Sequence, residues 1–323
     1  ILFGRNVASY KFALAESLLE LVPTGKTVVT LDELAVPFSK YLCQHIENAP
    51  KQATSQRSQF LDACKQYNDG LISHQKLIDI TVAKGFNNVI DAFHVVNCGN
   101  IPVEFYKKDY ANGKKRIILT DEIYKLRETP FADNFAVEAE SRWNLVETAW
   151  GLNISRNLLN VRYDDESKIF FVDSNFKRRD VTSARGALNG YQKGKCFYCF
   201  DDITVSGDDT NTCDVDHFFP HTLQPLFLDI NLDGVWNLVL ACPACNRGEG
   251  GKFARVPATK YLTRLYKRNE FLISSHHPLR ETIIRQTGAT EQERRAFLAS
   301  VDQRAIDALI HRWETPEMAP ATF

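Results

Sequence analysis

The chain has 323 residues, of which 44% are hydrophobic and 24% charged, and its formal net charge is −1. This composition is typical of a globular protein and excludes a disordered or collagen-like chain. At roughly 150 residues per domain, the length favours two domains. No apolar run reaches the ~18 residues that a membrane-spanning helix needs, so we expect no membrane insertion.

The first third of the chain predicts helices, because apolar residues recur there at helical spacing. The four segments with this pattern are residues 9–22, 31–46, 58–67 and 74–96. Residues 103–120 then predict two strands joined at Asn112-Gly113, a pair typical of a type I′ hairpin turn. An amphipathic helix is predicted at 134–152.

The second half of the chain mixes both kinds of element. Residues 160–173 predict another hairpin, and Asp180 is a candidate N-cap for a helix that runs toward Gly194. Residues 236–241 have the character of a buried strand, and a helix is expected just after it. The remaining predicted helices are 258–275, 278–288 and 291–313. The sequence therefore predicts an α+β fold.

Four of the eight cysteines form two C-x-x-C pairs, CFYC and CPAC. Each pair directs two thiolates to one point, and two such knuckles complete a tetrahedral Zn²⁺ site. We expect a structural zinc bound by Cys196, Cys199, Cys242 and Cys245, with redox or core cysteines as the alternative. The other four are expected to be buried apolar residues: Cys43, Cys64, Cys98 and Cys213. Thiols in this pattern, without a recognisable secretory leader, favour a cytoplasmic protein.

An Asp-His pair lies between the two cysteine pairs, in DVDHFFPH at residues 214–221. Together with WNLVLACPACNRGEGGK at 236–252, it resembles the HNH endonucleases, which have a ββα-metal fold often held by two zinc knuckles. DVDH and NRG are also similar to the HNH domain of CRISPR effector nucleases. The positions that match the family motif, in chain order, are Asp216, His217, Pro220, Asn237 and Asn246.

The resemblance implies hydrolysis of phosphodiester bonds, with a role for each motif residue. Asp216 and the amide oxygen of Asn246 would bind Mg²⁺ or Mn²⁺, since hard cations prefer oxygen ligands. His217 lies on the opposite face of the strand and would act as the general base. Asn237 would hold the loop between the strands by backbone hydrogen bonds. Lys252 lies farther from Asn246 than the corresponding lysine of many family members, which leaves its role open.

Other histidines have weaker claims to a role. His221 is either an extra metal ligand or a surface-loop histidine, and the second interpretation is favoured. His276-His277 precedes Pro278, a residue typical of the first turn of a helix, so we expect a helix start there in preference to a catalytic role.

Charge is segregated along the chain. Residues 177–195 hold six basic residues and one acidic residue, and residues 247–268 hold seven and one. Six aspartates between 201 and 216 have no basic residue among them. Basic flanks of this kind suit DNA, although two solvated faces would give the same pattern. The candidate DNA-binding residues are Arg247, Lys252, Lys260, Arg264, Lys267 and Arg268.

These predictions give four segments: a mainly helical targeting or partner-binding domain at 1–160, a hairpin and helix connector at 161–195, an HNH nuclease core at 196–270, and C-terminal helices at 271–323 that pack on the core. GRNVASYKFAL and RNEFLISSHHPLRET resemble segments of stand-alone HNH proteins of bacterial defence loci, including the HNH nuclease of type II Zorya anti-phage systems. The resemblance implies DNA and defence-system proteins as partners. A zinc-stapled DNA-binding module without catalysis and an RNA-cleaving HNH enzyme are the alternatives.

Overall fold

The structure, a computed structural model, describes residues 7–55, 58–96, 99–129, 132–152, 160–174, 177–206, 212–275, 277–315 and 319–323. The chain folds into two compact units, the first formed by residues 1–132 and 146–153 and the second by residues 133–145 and 154–323. With 53% helix and 16% strand, the predicted α+β class is confirmed. No helix in the described ranges combines the length and the apolar character that crossing a membrane requires.

The described helices are α1 Tyr10–Leu21, α2 Leu31–Asn48, α3 Gln59–Asn68, α4 His74–Ile80, α5 Val89–Ala92, α6 Asp121–Arg127, α7 Ala132–Gly151, α8 Ala184–Gln192, α9 Pro243–Arg247, α10 Thr259–Ser274, α11 Arg280–Thr287 and α12 Glu291–Leu309. The described strands are β1 Val28–Thr30, β2 Val95–Val96, β3 Gly99–Asn100, β4 Tyr106–Asp109, β5 Arg116–Leu119, β6 Arg162–Asp164, β7 Ile169–Ser174, β8 Lys177–Ser183, β9 Asp214–His217, β10 Leu238–Ala241, β11 Val256–Pro257 and β12 Arg312–Trp313.

The first unit is mainly helical, as predicted. Thr30 and Glu33 form a reciprocal capping box that starts α2, and the buried rings of Phe38, Phe60 and Phe86 pack around this helix. The predicted hairpin is present as β4 and β5, with β1 completing the sheet in the order β1-β5-β4. Its predicted type I′ turn was wrong, because a 3₁₀ turn at Ala111–Gly113 lies inside a longer connection.

In its described residues, the second unit holds three small sheets, helices α8 to α12 and residues 133–145 of α7. The predicted hairpin at 160–173 is confirmed as β6 and β7, but β8 adds a third antiparallel strand. Asp180 lies in β8, and α8 begins after Ser183, so the predicted N-cap was wrong. The described part of residues 161–195, predicted to be a hairpin and helix connector, forms a three-stranded sheet and α8.

The strands β9 and β10 form an antiparallel pair, and α9 follows β10 directly. Val215 and all four residues of β10 are buried, because both faces of this short ladder are covered by the second unit. Leu238 pairs with His217 and Val239 pairs with Asp216. This register fixes which side chains leave each face of the strand where the Asp-His pair lies.

Candidate active site and metal centre

The loop between β9 and β10 is held by Asn237. Its side-chain Nδ2 donates to the backbone oxygens of Phe219 and Leu232 at 2.9 and 2.8 Å, and its Oδ1 accepts from the Phe219 amide at 2.8 Å. The side chain is fully buried. Three hydrogen bonds to backbone groups satisfy a buried amide and fix the loop, so the predicted positioning role is confirmed.

Asp216 faces the interior of the second unit. One carboxyl oxygen accepts a hydrogen bond from the Tyr198 hydroxyl at 2.6 Å, and the other lies 3.1 Å from the Lys252 ammonium. The side chains of Asp216 and Lys252 are 7% and 1% exposed. Burial raises the pKa of Asp216, while Lys252 and the Tyr198 hydrogen bond act in the opposite direction. A buried lysine thus neutralises the carboxylate.

His217 leaves the opposite face of the strand and is also held in place. Its Nε2 lies 2.9 Å from an Asp233 carboxyl oxygen, and its ring packs edge-on against Tyr163 with centroids 5.9 Å apart. A carboxylate only accepts hydrogen bonds, so Nε2 is the donor in this contact, and in the neutral ring Nδ1 then has the lone pair. Asp165 is the acid nearest to Nδ1, at 3.9 Å, which is too long for a direct hydrogen bond.

Asp233 contacts a second histidine. The same oxygen, Oδ1, lies 2.8 Å from Nδ1 of His221, and the two histidine rings are 5.5 Å apart. Hydrogen bonding to His217 lowers the pKa of Asp233, with His221 contributing in the same direction and burial opposing it. The carboxylate therefore stays charged beside both rings. The sequence analysis did not identify Asp233, because LDG is indistinguishable from an ordinary turn.

Four cysteines meet beside α9, as their spacing predicted. The sulfur atoms of Cys196, Cys199, Cys242 and Cys245 all lie within 4.8 Å of one another, and none of the four forms a disulfide. The Cys199 and Cys242 sulfurs are 3.7 Å apart. Zn–S bonds of about 2.3 Å in a tetrahedron place sulfurs roughly 3.7–3.8 Å apart. The cluster therefore fits Zn²⁺.

Backbone amides also favour thiolates in this cluster. The Cys242 amide lies 3.3 Å from the Cys196 sulfur, and the Cys245 amide lies 3.4 Å from the Cys242 sulfur. The second contact is the side-chain cap of α9, so the knuckle and the start of the helix form one structure. Of the remaining cysteines, Cys43, Cys64 and Cys213 are buried as expected, and Cys98 lies outside the described residues.

The predicted Mg²⁺ ligands have other partners. Asn246 donates from Nδ2 to Asp214 at 3.1 Å, and both oxygens of Asp216 are engaged by Tyr198 and Lys252. A cation bound by Asp216 would have to displace the Lys252 ammonium from a buried position. The Asn246 contact involves Nδ2 and not the amide oxygen predicted to bind the cation, so it is Asp216 that does not fit Mg²⁺ in this arrangement. The proposed ligation by Asp216 and Asn246 stays a prediction.

Four of the predicted DNA-binding residues lie on α10: Lys260, Arg264, Lys267 and Arg268. Arg268 is 2% exposed, and its guanidinium donates to the backbone oxygens of Val235, Trp236 and Leu238. Arg264 donates to the oxygens of Phe197 and Tyr198. Arg268 cannot belong to a phosphate-binding face, because it is buried and its Nη1 and Nη2 donate to these carbonyl groups. Arg264 is half-buried and donates through Nη1, and its assignment to a DNA-binding face stays a prediction.

Of the other candidate DNA-binding residues, Lys252 is buried and the remaining three are exposed. Lys252 is buried against Asp216, so it was wrongly assigned to a DNA-binding surface. Lys267 is exposed, Lys260 is paired with Glu314 at the surface, and Arg247 is exposed while it contacts Asp214. These three stay candidates. The side chains of residues 177–179 lie outside what the structure describes.

The described histidine of the predicted pair 276–277 is buried. His277 is 1% exposed, and its Nδ1 accepts a hydrogen bond from the Leu279 amide at 3.2 Å. Burial, with help from Arg142 and Arg268, holds the pKa of His277 well below its usual value. The helix begins at Arg280, two residues after Pro278. His276 lies outside the described residues.

Comparison of the chain with protein-family models, with curated proteins and with solved structures gave no match. The functional assignment therefore depends on the site itself.

Proposed function

We propose that the second unit is an HNH-type nuclease that hydrolyses phosphodiester bonds of DNA. The observation that carries this proposal is the placement of His217, whose Nε2 lies 2.9 Å from an Asp233 carboxyl oxygen, so that Nδ1 is the nitrogen left to accept a proton in the neutral ring. An anchored neutral imidazole with one basic nitrogen is what proton abstraction from water requires. The strand pair β9 and β10, the pinned loop and the cysteine cluster support the same assignment.

In the proposed reaction, Nδ1 of His217 takes a proton from water as the water oxygen attacks phosphorus. The P–O bond to the leaving sugar oxygen breaks, and that oxygen receives a proton from solvent. Asp233 stabilises the imidazolium that forms, since its carboxylate accepts a hydrogen bond from Nε2. Asn237 holds the loop that carries Asp233, through its bond to the Leu232 oxygen.

The requirement for a divalent cation is a separate part of the proposal. Only the family resemblance supports Mg²⁺ or Mn²⁺ at Asp216, and Lys252 already supplies one positive charge there. No step above depends on such an ion. Incubating the protein with supercoiled plasmid in Mg²⁺, in Mn²⁺ and in EDTA measures the requirement directly.

A second candidate is a zinc-stapled module that binds nucleic acid without cleaving it. The Asp216–Lys252 ion pair favours this candidate, because it closes the carboxylate that a nuclease would offer to a cation. The binding module would be identified if zinc-loaded wild-type protein, supplied with Mg²⁺ or Mn²⁺, binds plasmid but does not nick it. The same assay with single-stranded RNA distinguishes a ribonuclease.

The biological setting is also part of the proposal. The defence-system resemblance suggests an anti-phage nuclease in the cytoplasm, with the helical first unit serving to target it or to bind partner proteins. Cleavage by the whole chain, compared in the presence and absence of candidate partner proteins encoded alongside it, would test that role.

A further inference from the structure

Two histidines and one aspartate converge beside the proposed general base. Nε2 of His217, Nδ1 of His221 and an Asp233 oxygen all lie within 4.8 Å of one another. Both histidine nitrogens contact the same oxygen, at 2.9 and 2.8 Å. Ligands of a tetrahedral ion bound at ~2.0–2.1 Å lie about 3.3 Å apart, so an ion needs only a small separation of these groups.

We propose that His217, His221 and Asp233 form a binding site for a divalent transition metal such as Zn²⁺, and that metal binding there inhibits the nuclease. The inhibition rests on the proposed function, but the binding site does not. Two imidazole nitrogens and one carboxylate select borderline metals such as Zn²⁺ and Co²⁺, and discriminate against Mg²⁺.

The site is open on one side. The side chain of His221 is 55% exposed and that of Asp233 is 32% exposed, while that of His217 is 10% exposed. An ion can therefore enter from solvent, and water can complete its coordination. Asn237 and the β9 strand hold two of the three ligand-bearing segments in place, so the site is largely formed before binding.

Inhibition follows from counting the protons on His217. In the neutral ring without metal, the Nε2–H group donates a hydrogen bond to Asp233, and Nδ1 has the lone pair. A metal on Nε2 needs that nitrogen's lone pair, so in the neutral ring the proton moves through solvent to Nδ1. The ring keeps one proton and stays neutral. Nδ1 can then no longer accept a proton from water, and the general base is lost.

Asp165 stabilises the metal-bound form. Its carboxyl oxygen lies 3.9 Å from Nδ1 of His217, on a turn fixed by an ion pair between Lys168 and the same carboxyl oxygen at 2.7 Å. When Nδ1 gains the proton, it acquires a hydrogen to donate toward this acceptor. Carboxylates commonly hold the distal N–H of a metal-bound histidine, and losing such a partner weakens metal binding by ~10–100-fold.

The binding test uses Co²⁺ as a spectroscopic probe on protein that already carries zinc in the cysteine cluster. Co²⁺ bound by two nitrogens and an oxygen gives weak visible bands and no thiolate-to-metal charge-transfer absorption. We expect one such site in the wild type. His221→Ala should weaken Co²⁺ binding at this site by at least ~10–100-fold. The variant should fold normally, because the side chain of His221 is more than half exposed. Asp165→Asn should weaken Co²⁺ binding without abolishing it.

The activity test titrates buffered free Zn²⁺ in the plasmid assay. His221→Ala should resist zinc that inhibits the wild type, with the inhibition of each protein measured relative to its own cleavage rate without added zinc. Equal Co²⁺ affinity in wild type and His221→Ala would overturn the site. Equal zinc inhibition in both would overturn the inhibition mechanism. A wild type that cleaves no nucleic acid in any condition refutes the proposed function instead, and the Co²⁺ titration still decides whether the site exists.

Discussion

Replacing Lys252 by methionine should destabilise the second unit strongly, because it leaves the buried Asp216 carboxylate without a counter-ion. The charges are 3.1 Å apart, and both side chains are almost fully enclosed. With an effective dielectric constant of about 20, that separation corresponds to an attraction of roughly 5 kcal/mol. Measured losses on breaking buried pairs are about 3–5 kcal/mol. We expect Lys252→Met to lower the free energy of unfolding by an amount in that range.

The effect should also depend on pH in a defined direction. Burial raises the pKa of Asp216, and Lys252 opposes that rise, so removing Lys252 raises the pKa further. A carboxyl group whose folded-state pKa exceeds its unfolded value favours folding below the unfolded pKa. That contribution is lost as the pH rises through the folded pKa. The deficit of Lys252→Met relative to wild type should therefore be larger at neutral pH than in acid.

Urea unfolding of zinc-loaded protein, followed by tryptophan fluorescence, measures this change. Lys260→Met is the matched control, because Lys260 is paired with Glu314 at the surface and should contribute less than about 1 kcal/mol. Adding Asp216→Asn to Lys252→Met should recover much of the loss, since the uncompensated charge is removed. A loss below about 1 kcal/mol in Lys252→Met, equal to that of the control, would refute the idea that Lys252 is the counter-ion.

The remaining predictions concern the base, the zinc and the buried arginine. His217→Ala should lower cleavage by roughly 10²-fold or more while leaving DNA affinity within about twofold, measured by plasmid cleavage and by duplex titration; unchanged cleavage would exclude this base. Cys242→Ser should release the metal and lower the melting temperature, and elemental analysis that finds no zinc in wild type would contradict the assignment. Arg268→Met should destabilise the fold but leave the slope of log affinity against log salt unchanged, whereas Lys267→Ala should flatten it by about 0.9 if Lys267 contacts phosphate.

The sequence was sufficient wherever a short motif determines local geometry. The C-x-x-C spacing predicted the four-sulfur cluster, because each knuckle is a local turn. The alternation of a strand predicted that Asp216 and His217 face opposite ways. The family resemblance implied that Asn237 holds the loop by backbone hydrogen bonds, and the structure shows such bonds to Phe219 and Leu232.

The sequence was insufficient wherever a role depends on a distant partner. Lys252 belongs to a basic run, and nothing local distinguishes a lysine at the surface from one enclosed beside Asp216. Arg268 is one of several basic residues on α10, but the sequence does not reveal that its guanidinium donates to three carbonyl groups. Asp233 orients the base from 16 residues away along the chain. Contacts of this kind exist only after the fold has formed.

Asp216 and His217 have separate roles, although they are neighbours on one strand. Asp216 contributes to the interior, where Lys252 and Tyr198 neutralise and fix it, and its removal should register first in stability. His217 contributes to the proposed site, where its Nε2 contacts the Asp233 carboxylate at 2.9 Å. Substituting the two residues should therefore separate experimentally: Asp233→Asn should change cleavage and its pH dependence with little loss of stability, because Asp233 lies near the surface. Asp216→Ala should reduce stability and cleavage together, and parallel effects of both variants on stability would contradict this division.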